Sequence, residues 1–541
     1  MDRRAFLRLG VGGAALLASQ PILGRDPAAA EPLPGPFGHG VASGDPLPDR
    51  VILWSRVTPD ATATPGSGRG AATDVAWEVA TDADFRRVVA SGALRTSPAA
   101  DHTVKVDADG LPASSELWYR FHALGATSPV GRTRTAPASR AAVDRLRMGV
   151  VSCSNYEDGH FSAYRHLAER DDLDLIVHLG DYLYEGGLGA GRDIGRGHDP
   201  SHEIVTLEDY RRRHALHKTD PDLRTLHQRY PFVTTIDDHE VTNNTWTGGA
   251  GNHQADEGDY SARRAASMQA YFEWMPIRPV GSAGDPHRIH RTLSFGSLAD
   301  LVMLDERTHR SRQVEGPFGD ILVSDPAVGD PGRTMLGTDQ RAWLDDELDR
   351  SHTTWRVIGS SVMFAPLVLA DLPDVPGLTP VLQDALAGAG LTLPLVINAD
   401  QWDGYRSEQE MVRDRFGEAG GVVILTGDIH SSWAAEIPAD PGTYLPAVGG
   451  PTVAVEFVTP AVTSDSFSSI ISGVGIPGGE ALGGLLPVLV ETAAPWFKYL
   501  DAERQGFGVF EVTPEAAQYD WFYVSDRRDP KATAIAGPSW R

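Results

Sequence analysis

Four short apolar runs in this sequence each end in side chains able to hold a cation. Arg147–Ser152 runs into Cys153-Ser154-Asn155, and Leu173–Leu179 into Gly180-Asp181-Tyr182-Leu183-Tyr184. Phe232–Ile236 runs into Asp237-Asp238-His239-Glu240, and Val422–Thr426 into Gly427-Asp428-Ile429-His430. Singly, each has an ordinary explanation: an Asp after Gly at a strand end is a turn or cap, a free cysteine is a buried core thiol, and a tyrosine is a packed aromatic. Four such deliveries at the same end of successive strands are harder to explain that way, because the carboxyl edge of an open α/β sheet is where ligands bind.

The chemistry that needs such a set is hydrolysis at phosphorus. Two adjacent cations orient and polarise the ester and lower the pKa of a bound water. Holding two cations together takes a bridging carboxylate and anionic ligands around each. Asp181 is the natural bridge, with Cys153 beside it on the neighbouring parallel strand and Tyr184 returning to the same ion three residues on. Thiolate and phenolate suit a trivalent ion such as Fe(III). Asp238 and Asp428 offer carboxylate oxygen, which favours a hard divalent ion such as Ca²⁺.

The elements that must place these groups follow from periodicity. Arg147–Ser152, a helical His160–Arg170 and Leu173–Leu179 form a βαβ unit, so the two strands are expected to be parallel. Phe232–Ile236, Leu298–Leu304 and Val422–Thr426 read as further buried strands. Gly506–Val512 and Tyr519–Val524 alternate like antiparallel strands and are assigned to the edge of the same domain. Residues 36–136 look all-β, with Val51–Trp54, Val75–Ala80, Val104–Val106 and Leu117–Phe121 separated by turn clusters, as in a fibronectin III or immunoglobulin-like sandwich. Thr135–Ser139 reads as a linker, and residues 140–541 as the catalytic domain. Gly186–Gly197, Gly248–Gly258 and Gly473–Gly484 are candidate loops over the site.

Residues 1–30 stand apart. Arg3-Arg4, Phe6-Leu7, an apolar run from Leu9 to Ala18 and Ala28-Ala29-Ala30 read as a twin-arginine export signal, which makes the export machinery a partner and a secreted or cell-envelope location the expectation. No apolar run reaches the roughly 20 residues a transmembrane helix needs, so no such span is expected in the mature chain. The formal net charge of −25 repels nucleic acid and anionic lipid at long range, and no nucleic-acid-binding module is found. With Cys153 the sole cysteine, no intramolecular disulfide forms, and stability falls to core burial and cations.

At these residues the chain resembles the calcineurin-like metallophosphoesterases, and within them the PhoD-type alkaline phosphatases and phosphodiesterases. The features carrying the resemblance are Gly40-Val41-Ala42-Ser43-Gly44-Asp45-Pro46, Cys153-Ser154-Asn155, Gly180-Asp181 with Tyr184, Asp237-Asp238-His239-Glu240 and Gly427-Asp428-Ile429-His430. The resemblance implies an α/β fold, a four-layer α/β/β/α metallophosphoesterase domain preceded by a small all-β sandwich. It also implies that Cys153, Asp181, Tyr184 and His430 bind the Fe(III)-like ion, and that Asp181, Asp238 and Asp428 bind Ca²⁺. His239 falls where the family has the histidine that assists the leaving group, and Asn155 is expected to donate a hydrogen bond to the phosphate. Cys153, Asp238 and Asp428 depart from the wider superfamily's Asp, Asn and His. A further histidine of the superfamily has no match, and Asn243, Asn244, Asp305, Asp400 and Asp403 are weak substitutes for it.

The expected activity is therefore hydrolysis of phosphate mono- and diesters, on small molecules or polymers, by metal-activated hydroxide. A phospholipase D-like secreted phosphodiesterase, with Phe467–Gly484 accepting lipid, is the rival among enzymes. A secreted binding protein with an inert α/β domain is the rival from another class.

Overall fold

The computed structural model describes residues 32–541 except 190–193, 282–284, 370–378, 389, 447, 474–489 and 491–493. The export signal read at residues 1–30, and the larger part of the Gly473–Gly484 loop, lie outside the described residues.

The apolar runs form strands because both of their faces are buried. Along Val422–Thr426, Val422 and Ile424 join one core cluster while Val423 and Leu425 join another. Leu175 and Val177 likewise face away from Ile176. This is the period of two of a strand with no solvent face, which is why these segments read as unbroken apolar runs rather than alternations. Leu146–Val151, Leu175–His178 and Pro231–Thr234 pair in parallel, with Gly149, Ile176 and Phe232 in register. They lie in a nine-stranded sheet that Gly506–Val512, Ala517–Val524 and Ala534–Trp540 continue to one edge. A seven-stranded sheet carries Ala299–Met303, Trp355–Ser360, Val422–Thr426 and Thr452–Val458 as parallel neighbours.

One cluster joins the two sheets: Met148, Val150, Val177 and Val233 of the first meet Leu301, Val357, Val423, Leu425 and Phe457 of the second. The outer faces take helices. Tyr164 and Leu167, Leu223 and Leu226, and Met268 and Tyr271 cover the nine-stranded sheet, while Leu344, Leu348, Val412 and Phe416 cover the other. At about 25 cal/mol per Å² of apolar area, this burial is the main stabilising term in a chain without disulfides. Local signals set the helix starts: Thr206 and Asp209 form a reciprocal capping box, and Asp220 and Asp259 cap the next two helices.

The amino-terminal strands are not self-contained. Thr73–Ala80, Val88–Thr96 and Glu116–Ala123 belong to a five-stranded sheet whose core is shared with Val51, Leu53, Val104 and Val106. The strands bearing those four residues are part of the nine-stranded sheet, since Ser43 and Gly44 pair in parallel with Pro231 and Phe232. The Gly40–Pro46 motif makes this junction. A Cβ on Gly44 would stand 2.2 Å from the carbonyl oxygen of Pro276, so no larger residue lets the segments approach. Asp45 takes two bonds from buried Arg291, at 2.9 and 2.6 Å. No helix among the described residues is long and apolar enough to cross a membrane.

Candidate functional site

The sequence pattern pictured one sheet edge. The structure instead places three of the ligand-bearing strand ends in the nine-stranded sheet and the fourth, before Asp428 and His430, in the seven-stranded sheet. The site therefore straddles the seam between sheets. Two glycines allow it: Gly180 has φ +99° with a virtual Cβ 2.5 Å from Asp237, and a Cβ on Gly427 would meet that of Ser152 at 2.9 Å.

Backbone strain marks the same residues. Cys153, Asp181, Asp428 and His430 all have φ between 50° and 60°, a left-handed region that costs a non-glycine residue about 1–2 kcal/mol. Turning these four side chains inward together is what that conformation achieves. The cost is borne by the sheets beneath.

Cys153, Asp181 and His430 bring ligand atoms within 4.8 Å of one another, and so do Asp181, Asp238 and His239. Asp181 belongs to both groups. The Tyr184 hydroxyl donates to Asp181 Oδ2 at 2.8 Å, lies 3.1 Å from His430 Nε2 and accepts from Ser464 Oγ at 2.7 Å. Cys153 is buried, with a long 3.9 Å contact from its thiol to the Asp428 carbonyl. His430 Nδ1 is held by the Asp465 carbonyl at 2.7 Å, which turns Nε2 to the cluster.

The electrostatics call for a cation. Burial, then the charge of Asp181, pushes the Cys153 thiol well up, and burial with Asp181 and Cys153 does the same to Tyr184. Asp181 is itself pushed well up, by burial first and then by Asp238, Glu240 and Asp428 against the opposing His239. Thiolate, phenolate and carboxylate gathered in a buried place disfavour one another's ionised forms, so the donor set fits cations, which would compensate that charge. Burial lowers His430 to about 4, leaving a neutral imidazole fit to ligate.

His239 is locked from two sides. Its Nδ1 meets Glu185 Oε2 at 2.6 Å, and its ring lies on Tyr184 with centroids 4.1 Å apart. Burial opposes its protonation, but Glu185, Asp181 and Asp238 outweigh burial and raise its pKa well above the ordinary value. Asn155 and His239 line one cavity of about 530 Å³, with Asp158, Glu185, Asn243 and Asn252 on its walls.

Asp428 sits apart from the Asp181 groups. Its Oδ1 accepts from Arg307 at 2.9 Å and its Oδ2 from Gln401 at 2.9 Å. Of the weak substitutes, Asn244 donates its backbone N–H to Asp238 Oδ2 at 2.5 Å and Asn243 donates its own to Glu185 at 2.8 Å. Asp400 pairs with Arg307 and Arg310, and these cations overcome burial to hold it down to about 2. Asp305 binds Thr308, and Asp403 binds the Leu367 amide. Neither of these two is aimed at the cluster.

Sequence reasoning missed Arg307, Glu185 and Gln401, and named Glu240 within its motif without assigning it a role. Glu240 binds the amides of Asp181, Tyr182 and Asp237 at 3.0, 2.6 and 2.7 Å, tying two ligand loops together. A signal for Arg307 existed: the apolar run Leu298–Leu304 also ends in charged residues, Asp305-Glu306-Arg307.

Comparison with known proteins identifies the family. A model of the family described as PhoD-like phosphatase matches residues 148–521, and one for its N-terminal domain matches residues 24–137. Alkaline phosphatase D of Bacillus subtilis (strain 168) is 37% identical over 438 residues, which cover 79% of this chain and 70% of that one. A solved structure titled "Structure of PhoD" superposes with a TM-score of 0.77 at 32% identity, covering 94% of this chain and 90% of the other.

Proposed function

The chain belongs to the PhoD-like phosphatase family and is a phosphoesterase, and on that footing we propose that it hydrolyses phosphate mono- and diesters outside the cytoplasm at a two-cation centre. The observation that carries this reading is the position of Asp181, whose carboxylate groups with Cys153 and His430 on one side and lies within ligand-sharing distance of the Asp238 carboxylate on the other. Cys153, Asp181, Tyr184 and His430 would hold Fe(III), and Asp181, Asp238 and Asp428 would hold Ca²⁺, by the softness and charge of their donors. Bound there, the cations would polarise the ester and lower the pKa of a water.

The side chains account for the rest of the reaction. Glu185 fixes the Nδ1–H of His239, so the transferable proton resides on Nε2, and the Glu185 charge favours the protonated ring. His239 delivers that proton to the departing alkoxide. Asn155, on the same cavity, donates to a phosphate oxygen. The cavity walls keep the leaving group beside His239, so expulsion and protonation occur in one place.

We read the two sheets with their outer helices as a four-layer α/β/β/α domain over residues 140–541, with 36–136 as a β-sandwich that buttresses it. Residues 1–30 act as a twin-arginine signal. The test is metal analysis of the purified chain together with rates on a nitrophenyl monoester and diester. Iron and calcium with turnover of both esters is expected; a folded, metal-free protein that hydrolyses neither refutes the reading.

A further inference from the structure

One cation of the chain's own stands among the carboxylates. Arg307 is fully buried, and its guanidinium faces carboxylates from separate strand-end loops. Nε bonds Asp237, one Nη bonds Asp400 Oδ2 at 2.5 Å, and the other bonds Asp428 Oδ1 at 2.9 Å while lying 3.9 Å from Asp238 Oδ1. Arg310, also buried, braces Asp400 at 2.7 Å and is itself anchored on the Thr245 and Asp400 carbonyls. Asp238 follows a strand of the nine-stranded sheet, and Asp428 a strand of the seven-stranded sheet.

We propose that Arg307 is a positioning residue for the divalent half of the centre, setting the separation of Asp238 and Asp428 across the seam between the sheets. The inference rests on the two-cation reading above. Two carboxylates from different sheets repel at short range, and in a buried site that repulsion is strong. A permanently charged guanidinium between them offsets the repulsion, and its hydrogen bond fixes the orientation of Asp428 while Asp238 is held by charge alone; outer-shell partners of this kind orient the ligands of a metal. Gln401 on Asp428 Oδ2 and the Asn244 amide on Asp238 Oδ2 complete the bracing from the other side. No hydrogen bond or ion pair links Arg307 to Cys153, Tyr184 or His430 among the described residues, so the Fe(III) half is set independently.

The test compares the full wild-type chain with Arg307→Gln and Arg307→Lys, by plasma mass spectrometry for iron and calcium, calcium titration calorimetry, and the visible tyrosinate-to-iron band. Arg307→Gln should keep iron and the band while calcium affinity falls about 10- to 100-fold, the usual cost of losing an outer-shell partner. Arg307→Lys keeps the buried charge but loses the fork, and should recover only part of the loss, so the test does not depend on the folding of the neutral variant. Calcium affinity unchanged or tightened in both variants overturns the proposal, as does joint loss of iron and calcium in folded Arg307→Lys. A wild-type chain that binds neither cation strikes the two-cation reading itself, which separates that failure from this one.

Discussion

Two buried polar layers lie back to back in this protein, and only one of them is built for catalysis. At the seam between the sheets, Cys153, Asp181, Tyr184, Asp238, His239 and His430 converge, with Asp428 held beside them by Arg307 and Gln401. Behind it, His178, His214, His217, His227, Lys218, Tyr164 and Tyr182 are more completely buried than His239, Asp428 and His430. Tyr182 and Tyr184 are two residues apart, yet Tyr184 bonds Asp181 whereas Tyr182 bonds His227 Nε2 at 3.0 Å. The hydrogen bonds of the rear layer run between phenol, imidazole and amine: Tyr164 to His178, Tyr182 to His227, and Lys218 to His227. Burial drives its histidines and Lys218 toward their neutral forms. The front layer concentrates negative charge and asks for cations. The rear layer gathers imidazole, phenol and amine in place of carboxylates, and burial favours their neutral forms. A count of titratable side chains would not tell them apart; the sign of the uncompensated charge does.

The contrast breaks first at Asp181. Asp181→Asn removes the carboxylate common to both front groups and should abolish turnover and release both cations, seen by metal analysis. Retention of both would erase the distinction drawn for the front layer. Next in size, His239→Ala should lower kcat by about 10²- to 10⁴-fold, the range for a general acid, with metal content unchanged. An unaltered rate would remove His239 from the mechanism.

The paired tyrosines sharpen the comparison. Tyr184→Phe should extinguish the visible band of the iron-loaded enzyme. Tyr182→Phe should leave the band intact and cost only about 1 kcal/mol of stability, the worth of one hydrogen bond, by denaturant unfolding.

The smallest effect is a pH dependence in the rear layer. Burial holds the Lys218 pKa well below its ordinary value, so folding disfavours the charged form. The resulting penalty is complete below the folded pKa and is relieved as pH rises toward the unfolded value of about 10.4. Wild-type stability should therefore gain on alkaline titration relative to Lys218→Met, and identical pH profiles would count against a neutral buried lysine.

Much of the front layer was legible because ligands sit immediately after strands, where the apolar run marks the end and the next residues mark the chemistry. The parallel pairing of the Cys153 and Asp181 strands followed from the βαβ spacing. What stayed hidden was long-range. Nothing local places Asp428 in a different sheet from Asp181, or pairs Ser43 with Pro231 so that the amino-terminal strands extend the central sheet. Arg307 escaped because arginine is not a ligand type and its role comes from contacts with Asp237, Asp400 and Asp428, which are far away in sequence. The rear layer was invisible for the opposite reason, since His214, His217 and His227 sit on helices whose period gives no sign of what they face, and His178 closes an apolar strand.

The account stands on Cys153 and Tyr184 sharing one cation with Asp181. X-ray absorption at the iron edge of the wild-type enzyme and Cys153→Ser tests it most directly. A sulfur shell present in the wild type and absent from the variant is the predicted result; iron bound in the wild type with only oxygen and nitrogen neighbours would contradict it.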